Sequence, residues 1–234
     1  MTDPEARERQ VIRFLEDWPW GRNGSTVIGG YAVAAYGGAR YSDDIDFVVP
    51  IEERSRITQW LVSHQFERRK GREVATQTPF EQAIRFHRDP VTVDVMVGFV
   101  RDREAKVDIP EHWIAARARR VKLDLLAGRV DVLVRVARPE ALWALKLQSG
   151  RVQDLADLFS IMDEPADLRE VRTIFSGLMV PTLGAKLATV LARLDDPKVY
   201  TDARSLRALK DTQTTRDRWG AFRERVAGII KFGE

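Results

Sequence analysis

The sequence predicts an α+β fold: an N-terminal half in which strands and helices alternate, then a half that is helical throughout, the two meeting near residue 137. Three features carry that reading. Apolar residues at every second position mark strands, most clearly at 91–100, and all such stretches lie before residue 137. From Pro139 onward the apolar spacing is helical. The chain has 234 residues, 44% hydrophobic and 31% charged, which is enough for one large domain or two small ones. The expected domains are 1–137 and 138–234.

Taken in order, residues 5–17 gather Val11, Ile12, Phe14, Leu15 and Trp18 on one side of a helix, and Trp-Pro-Trp-Gly-Arg-Asn-Gly breaks it. Residues 26–28 read as a short buried strand. Gly29-Gly30 follows, then a short helix over 31–36 that ends at Gly37-Gly38. A strand over 44–49 stops at Pro50, and a helix over 51–64 comes next. Strands are expected at 66–69, 83–88 and 91–100, the last two joined by a turn at Asp89-Pro90. A short helix at 112–118 precedes a hairpin of 121–126 and 129–136 around Gly128. Helices are then expected at 139–148, 151–162, 166–178, 181–194 and across 203–231, with Pro139 and Pro181 suited to first helical positions.

Composition narrows the chemistry. There is no cysteine, so disulfides, thiol catalysis and cysteine-held zinc are excluded. The three histidines, His64, His87 and His112, lie far apart in sequence. A metal would therefore be held mainly by carboxylates, which suits a hard cation such as magnesium or manganese. The charged N-terminus lacks the apolar core of a secretory signal, and no apolar run approaches the length of a membrane span, so the cytoplasm is the expected location. Net charge is only +3, but two stretches are locally basic. One holds Arg117, Arg119, Arg120 and Lys122; the other is 201–234. Both are compatible with solvated surface or with a polyanion partner.

The chemistry concentrates in Ser42-Asp43-Asp44-Ile45-Asp46-Phe47-Val48-Val49. Alternate strand residues share a face, so Ile45, Phe47 and Val49 turn to a core. Asp44 and Asp46 point the other way, roughly 6.5–7 Å apart at the backbone. Ser42 shares their parity; Asp43 does not, and reads as a turn or capping residue. Two acids so placed can converge on one metal or bridge two, as phosphoryl transfer requires. Taken alone, the pair is equally the mark of a half-exposed strand with two solvated acids. The Gly29-Gly30 turn upstream adds a place where backbone N–H groups can meet a phosphate.

The order Val27-Ile28-Gly29-Gly30-Tyr31-Ala32, then Gly38-Ala39-Arg40-Tyr41-Ser42-Asp43-Asp44-Ile45-Asp46-Phe47, resembles the signature of the polymerase-beta-like nucleotidyltransferase superfamily. It looks most like the AbiEii-type (MenT-type) branch, bacterial toxins of toxin–antitoxin and abortive-infection systems. Arg40, Ser42, Asp44 and Asp46 match that branch's Arg-x-Thr/Ser-x-Asp-Ile-Asp pattern. The resemblance implies a small mixed β-sheet flanked by helices, followed here by the C-terminal helical bundle. It implies that Asp44 and Asp46 hold the metal, while Gly29, Gly30, Arg40 and Ser42 handle the nucleoside triphosphate. Many members place a third acid on a neighbouring strand. Asp94, with Thr92 and Met96 on the face opposite the valines of 91–97, is the candidate. An unpaired acid is costly in so apolar a strand; metal coordination, activation of a hydroxyl or an ordinary salt bridge would each account for it.

In the helical half, Lys146 sits at the edge of an apolar stripe, and Arg151, Asp154 and Asp157 share one face of the next helix. On the residues alone these read as a surface ion-pair network. The resemblance implies instead that Lys146 and Arg151 contact the triphosphate and that Asp154 orients one of those cations or contacts the nucleotide. Gln153 stands where the branch usually has a basic residue. The reaction implied is attack of an acceptor hydroxyl on the α-phosphate with release of pyrophosphate. The acceptor implied is RNA, in particular the 3′ end of tRNA, and the protein partner a cognate antitoxin. Arg68, Arg69, Lys70 and Arg72, with 115–122 and 204–225, are the candidate RNA-backbone contacts. Two other readings stay open: a transferase acting on a small molecule of the aminoglycoside kind or on a protein, and a non-catalytic nucleotide-binding module.

Overall fold

The structure, a computed structural model, describes residues 4–20, 24–37, 42, 44–69, 83–102, 104, 106–125 and 130–231. Its helices are α1 (Pro4–Asp17), α2 (Gly29–Ala34), α3 (Arg54–Ser63), α4 (Glu111–Ala116), α5 (Pro139–Ser149), α6 (Val152–Ser160), α7 (Leu168–Leu178), α8 (Pro181–Arg193), α9 (Pro197–Leu206) and α10 (Gln213–Ile230). Its strands are β1 (Thr26–Ile28), β2 (Ile45–Val49), β3 (Glu67–Arg69), β4 (Ala83–Arg88), β5 (Val91–Val97), β6 (Phe99–Arg101), β7 (Asp108–Pro110), β8 (Ala118–Leu125) and β9 (Val130–Ala137). The chain divides into two units. One contains Met1–Ala35, Tyr41–Val100 and Pro110–Ala137; the other contains Tyr36–Arg40, Arg101–Ile109 and Arg138–Glu234.

The first unit is built on a seven-stranded mixed sheet in the order β3-β4-β5-β2-β1-β9-β8. Within it β2 runs parallel to β5 and β1 parallel to β9; the other neighbours are antiparallel. The apolar face of β2 meets an aromatic cluster. The Phe47 ring stacks on Trp18 at 4.8 Å between centroids, and Phe14 bridges from Phe47 at 6.1 Å to Phe66 at 5.4 Å. The apolar residues of α1, Val11, Ile12, Phe14 and Leu15, are all buried in this unit. Burial of one full face fixes strand register, since a slip of one residue would carry the acids into the core.

The second unit is built around α5, which is buried on every side from Pro139 to Gln148. Trp143, Phe159, Trp219 and Phe222 pack as a second aromatic cluster from α5, α6 and α10. Because α5 has no solvent face, its polar residues need internal partners; the Gln148 side-chain amide donates to the Val107 carbonyl at 2.6 Å.

Several element boundaries differ from the sequence expectation. The 31–36 helix begins at Gly29, so the glycine pair forms its first turn rather than preceding it. The 91–100 strand breaks at Gly98, whose φ of +78° bends the chain before β6. β6 pairs with β7, a strand the pattern of Asp108-Ile109-Pro110 is too short to announce. The 203–231 helical stretch is two helices, because Thr212 caps α10 by accepting a hydrogen bond from the Thr215 N–H at 3.2 Å. Among the described residues no helix is long and apolar enough to cross a membrane.

Phe47 is 1% exposed at the centre of its cluster. Phe47→Ala is expected to cost about 3–5 kcal/mol of unfolding free energy in urea titration. A cost under about 1 kcal/mol would show that this contact does not anchor β2.

Candidate active site

With Ile45, Phe47 and Val49 committed to the core, Asp44 and Asp46 face the other side of the sheet, half-buried. The parallel pairing of β2 with β5 sets Asp46 directly beside Asp94. One carboxylate oxygen from each of Asp44, Asp46 and Asp94 lies within 4.8 Å of the other two. Three hard oxygen donors that close, on a sheet face only partly shielded from water, fit a divalent cation of the magnesium or manganese type. Ser42 is buried, and its hydroxyl is 3.4 Å from the Asp44 carboxylate, to which it donates.

Three like charges at such distances repel unless offset. The offset comes from Arg85 on β4. The β4–β5 hairpin pairs Arg85 with Asp94, and Arg69 on β3 pairs with Arg85, so a single row crosses the sheet as Arg69, Arg85, Asp94, Asp46. Arg85 grips Asp94 with both arms, Nε to Oδ1 at 2.7 Å and Nη2 to Oδ2 at 2.5 Å. The same Nη2 donates to Asp44 Oδ2 at 3.1 Å. The hydrogen bond to Asp94 holds the guanidinium well above its ordinary pKa; burial opposes this, and the charges of Asp94, Asp44 and Asp46 reinforce it.

Gly29 acquires a specific reason here. A Cβ on it would lie 1.9 Å from Asp46 Oδ2, and its φ is +66°. The Asp46 carboxylate therefore rests against the bare backbone at the start of α2, where only glycine leaves room. Gly30 is buried behind it. Arg40 and Asp43 lie outside the described residues, as do Lys70 and Arg72.

The remaining sequence candidates belong to the second unit. Lys146 on α5 is buried, and its ammonium donates to Asp154 Oδ1 at 2.9 Å and to Asp157 Oδ2 at 2.5 Å. Arg207 pairs with the other side of Asp157. Arg151 donates from Nε to Asp154 Oδ2 at 2.6 Å while its side chain stays 74% exposed. Burial pushes the Asp154 carboxyl up, but the Lys146 and Arg151 charges and hydrogen bonds outweigh it and leave that carboxyl below the ordinary range. An ion-pair network is present, as the residues alone suggested, but it is buried rather than on the surface.

Two participants escaped the sequence reading. Arg85 was within reach: a hairpin turning at Asp89-Pro90 pairs position 85 with 94, and Arg85 has the opposite parity to the buried Ile84 and Phe86. Arg207 carried no such signal, since it meets Asp157 from fifty residues further along the chain.

A family profile described as nucleotidyl transferase AbiEii toxin, type IV toxin–antitoxin system, matches residues 21–229. The chain belongs to that family and is a nucleotidyltransferase. No curated protein matches it by sequence. Among solved structures it is similar to MenT4, a nucleotidyltransferase toxin from Mycobacterium tuberculosis H37Rv, at 15% identity over 98% of this chain and 83% of that one, TM-score 0.48. It is also similar to JHP933 from Helicobacter pylori, at 13% identity over 99% of this chain and 95% of that one, TM-score 0.45. A third, ANT(2″)-Ia solved with adenylyl-2″-tobramycin, is 18% identical over 94% of this chain and 98% of that one, TM-score 0.40.

Lys146 is the shared cation of two carboxylates that are themselves almost fully buried. Removing it leaves each with a single cation, Arg151 for Asp154 and Arg207 for Asp157, so Lys146→Ala is expected to lower the unfolding free energy by about 3 kcal/mol, the low end for a broken buried pair. Urea titration measures this directly. A loss under about 1 kcal/mol would show that the network does not support the helical unit.

Proposed function

We propose that this nucleotidyltransferase moves a nucleoside monophosphate from a nucleoside triphosphate to a hydroxyl of RNA, at the 3′ end of tRNA, in a magnesium- or manganese-dependent reaction. In this reading it acts as a toxin controlled by a cognate antitoxin. The observation that carries the reading is the convergence of Asp44, Asp46 and Asp94 on one face of the sheet. A divalent cation held by these three would neutralise phosphate charge and lower the pKa of the acceptor hydroxyl.

The chain's own residues take the following parts. Asp44 and Asp46 hold the cation, and the bare backbone at Gly29 sets the Asp46 carboxylate in place. Asp94 shares the cation and accepts the proton of the attacking hydroxyl. The hydroxyl oxygen forms a bond to the α-phosphorus, the bond to the β-phosphoryl oxygen breaks, and pyrophosphate leaves. The Gly29-Gly30 backbone, Ser42 and Arg40 contact the triphosphate. In the helical unit Arg151 is the phosphate contact, since its guanidinium is steadied by Asp154 yet reaches solvent. Lys146 acts by fixing Asp154, because its own ammonium is committed to two carboxylates.

The acceptor assignment draws on the first unit. Arg69 lies exposed on edge strand β3 in the row that leads to the carboxylates, Arg68 is exposed beside it on the same strand, and Arg119, Arg120 and Lys122 lie exposed on the opposite edge strand β8. The basic stretch 204–225 contributes less than its composition suggests. Arg207, Arg216, Arg218 and Arg223 are paired with Asp157, Asp211, Asp163 and Asp195.

The test is incubation with each labelled triphosphate and a mixture of total RNA, protein and aminoglycoside. Label is expected in tRNA-sized RNA, lost on chelation and in Asp46→Ala, with Asp94→Asn slowed about 10²–10⁴-fold. Label on protein or antibiotic would replace the acceptor, and no transfer to any of them would overturn the reading.

A further inference from the structure

Arg85 has no place in the reaction as described above, yet among the described residues it binds two of the three carboxylates at once. Its Nη2 touches Asp94 Oδ2 and Asp44 Oδ2 at once, at 2.5 and 3.1 Å, and its Nε takes the other Asp94 oxygen at 2.7 Å. A nitrogen within hydrogen-bond reach of both carboxylates lies between them. A cation shared by the same two carboxylates draws on the same negative charge, and sits closer to its oxygens than a hydrogen-bond donor does. Guanidinium and cation are of like sign and draw on the same two carboxylates, so each weakens the other's hold on Asp44 and Asp94.

We propose that Arg85 is the resident countercation of this site and competes with the divalent cation for Asp44 and Asp94, so that cation entry requires the guanidinium to let go of Asp44 and loosen its grip on Asp94. This rests on reading Asp44, Asp46 and Asp94 as the cation site. Two structural features make the exchange feasible. The Arg85 side chain is 46% exposed, so it leaves toward water rather than into packed core. The hydrogen bonds of Arg85 go to Asp94 and Asp44, while the Asp46 carboxylate is seated against Gly29, so the exchange involves two of the three acids. Arg85 thus keeps three acids compatible with folding before the ion arrives, and it sets the cation concentration at which the site fills. It is a positioning residue that tunes occupancy, and it touches no substrate in this account.

The experiment is calorimetric titration of the full chain with manganese chloride alone, without nucleotide, for the wild type, Arg85→Gln, Arg85→Ala and Asp46→Ala. Melting temperatures are recorded in chelator and in manganese. Both Arg85 variants are expected to bind manganese about five- to tenfold more tightly than the wild type, the loss of a partly exposed, bidentate ion pair. They are also expected to melt lower in chelator and to gain more from manganese. The glutamine variant keeps hydrogen-bonding capacity, which guards against a result that only reports misfolding. Equal or weaker binding in both Arg85 variants, with the wild type binding and Asp46→Ala not, would overturn the competition while leaving the cation site standing. Failure of wild type and Arg85 variants alike to bind would remove the cation site itself, and the competition with it.

Discussion

Strand β2 answers to two opposed demands, and the first unit is arranged around meeting both. One face is packed by Trp18, Phe14 and their neighbours against Phe47. The other carries acids beside Asp94 of β5. Strand periodicity allows no compromise between the faces. The aromatic cluster thus determines where the carboxylates stand, from the opposite face of the strand. Apolar burial supplies the stability, and the unfavourable grouping of like charges is tolerated because the register that relieves it would put acids in the core.

The charge problem is then handled locally. Arg85 reaches across from β4 and binds two of the three acids, while Gly29 lets the third rest on backbone. The two devices differ in kind. The glycine is permanent, a matter of excluded volume. The guanidinium is half exposed and held by hydrogen bonds and charge rather than by packing, which is what the proposed exchange requires. The helical unit makes the contrasting choice. Lys146, Asp154, Asp157 and Arg207 are sealed almost completely from water, where an ion pair is costly to break. Such a network steadies α5 against α6 and presents Arg151 at its edge.

Much of this was legible in the sequence, and the reasons differ by element. The order of strands and helices followed from periodicity, and the parity of 44–49 placed Asp44 and Asp46 on one face. The family resemblance called for a third acid on a neighbouring strand, and the parity of 91–97 set Asp94 on the face opposite the valines. Mixed parallel pairing was not readable from local pattern, because β2 and β5 are partners across two intervening strands. It came from family resemblance instead. The burial of Lys146 was hidden for another reason. A helix buried on all sides has no polar face to reveal which way its lysine points, and partners from later helices decide it. Gly29 looked like a phosphate turn, and its close approach to Asp46 is a three-dimensional fact that spacing cannot encode.

As proposed, Asp44, Asp46 and Asp94 form a cation site whose charge Arg85 balances in the ion's absence. A crystal of the protein soaked in manganese, measured for anomalous scattering, tests it most directly. The expected result is an anomalous peak bonded to Asp44, Asp46 and Asp94, with the Arg85 guanidinium turned away from Asp44. No peak between these carboxylates, or a peak there with Arg85 still bridging Asp44 and Asp94, would contradict it.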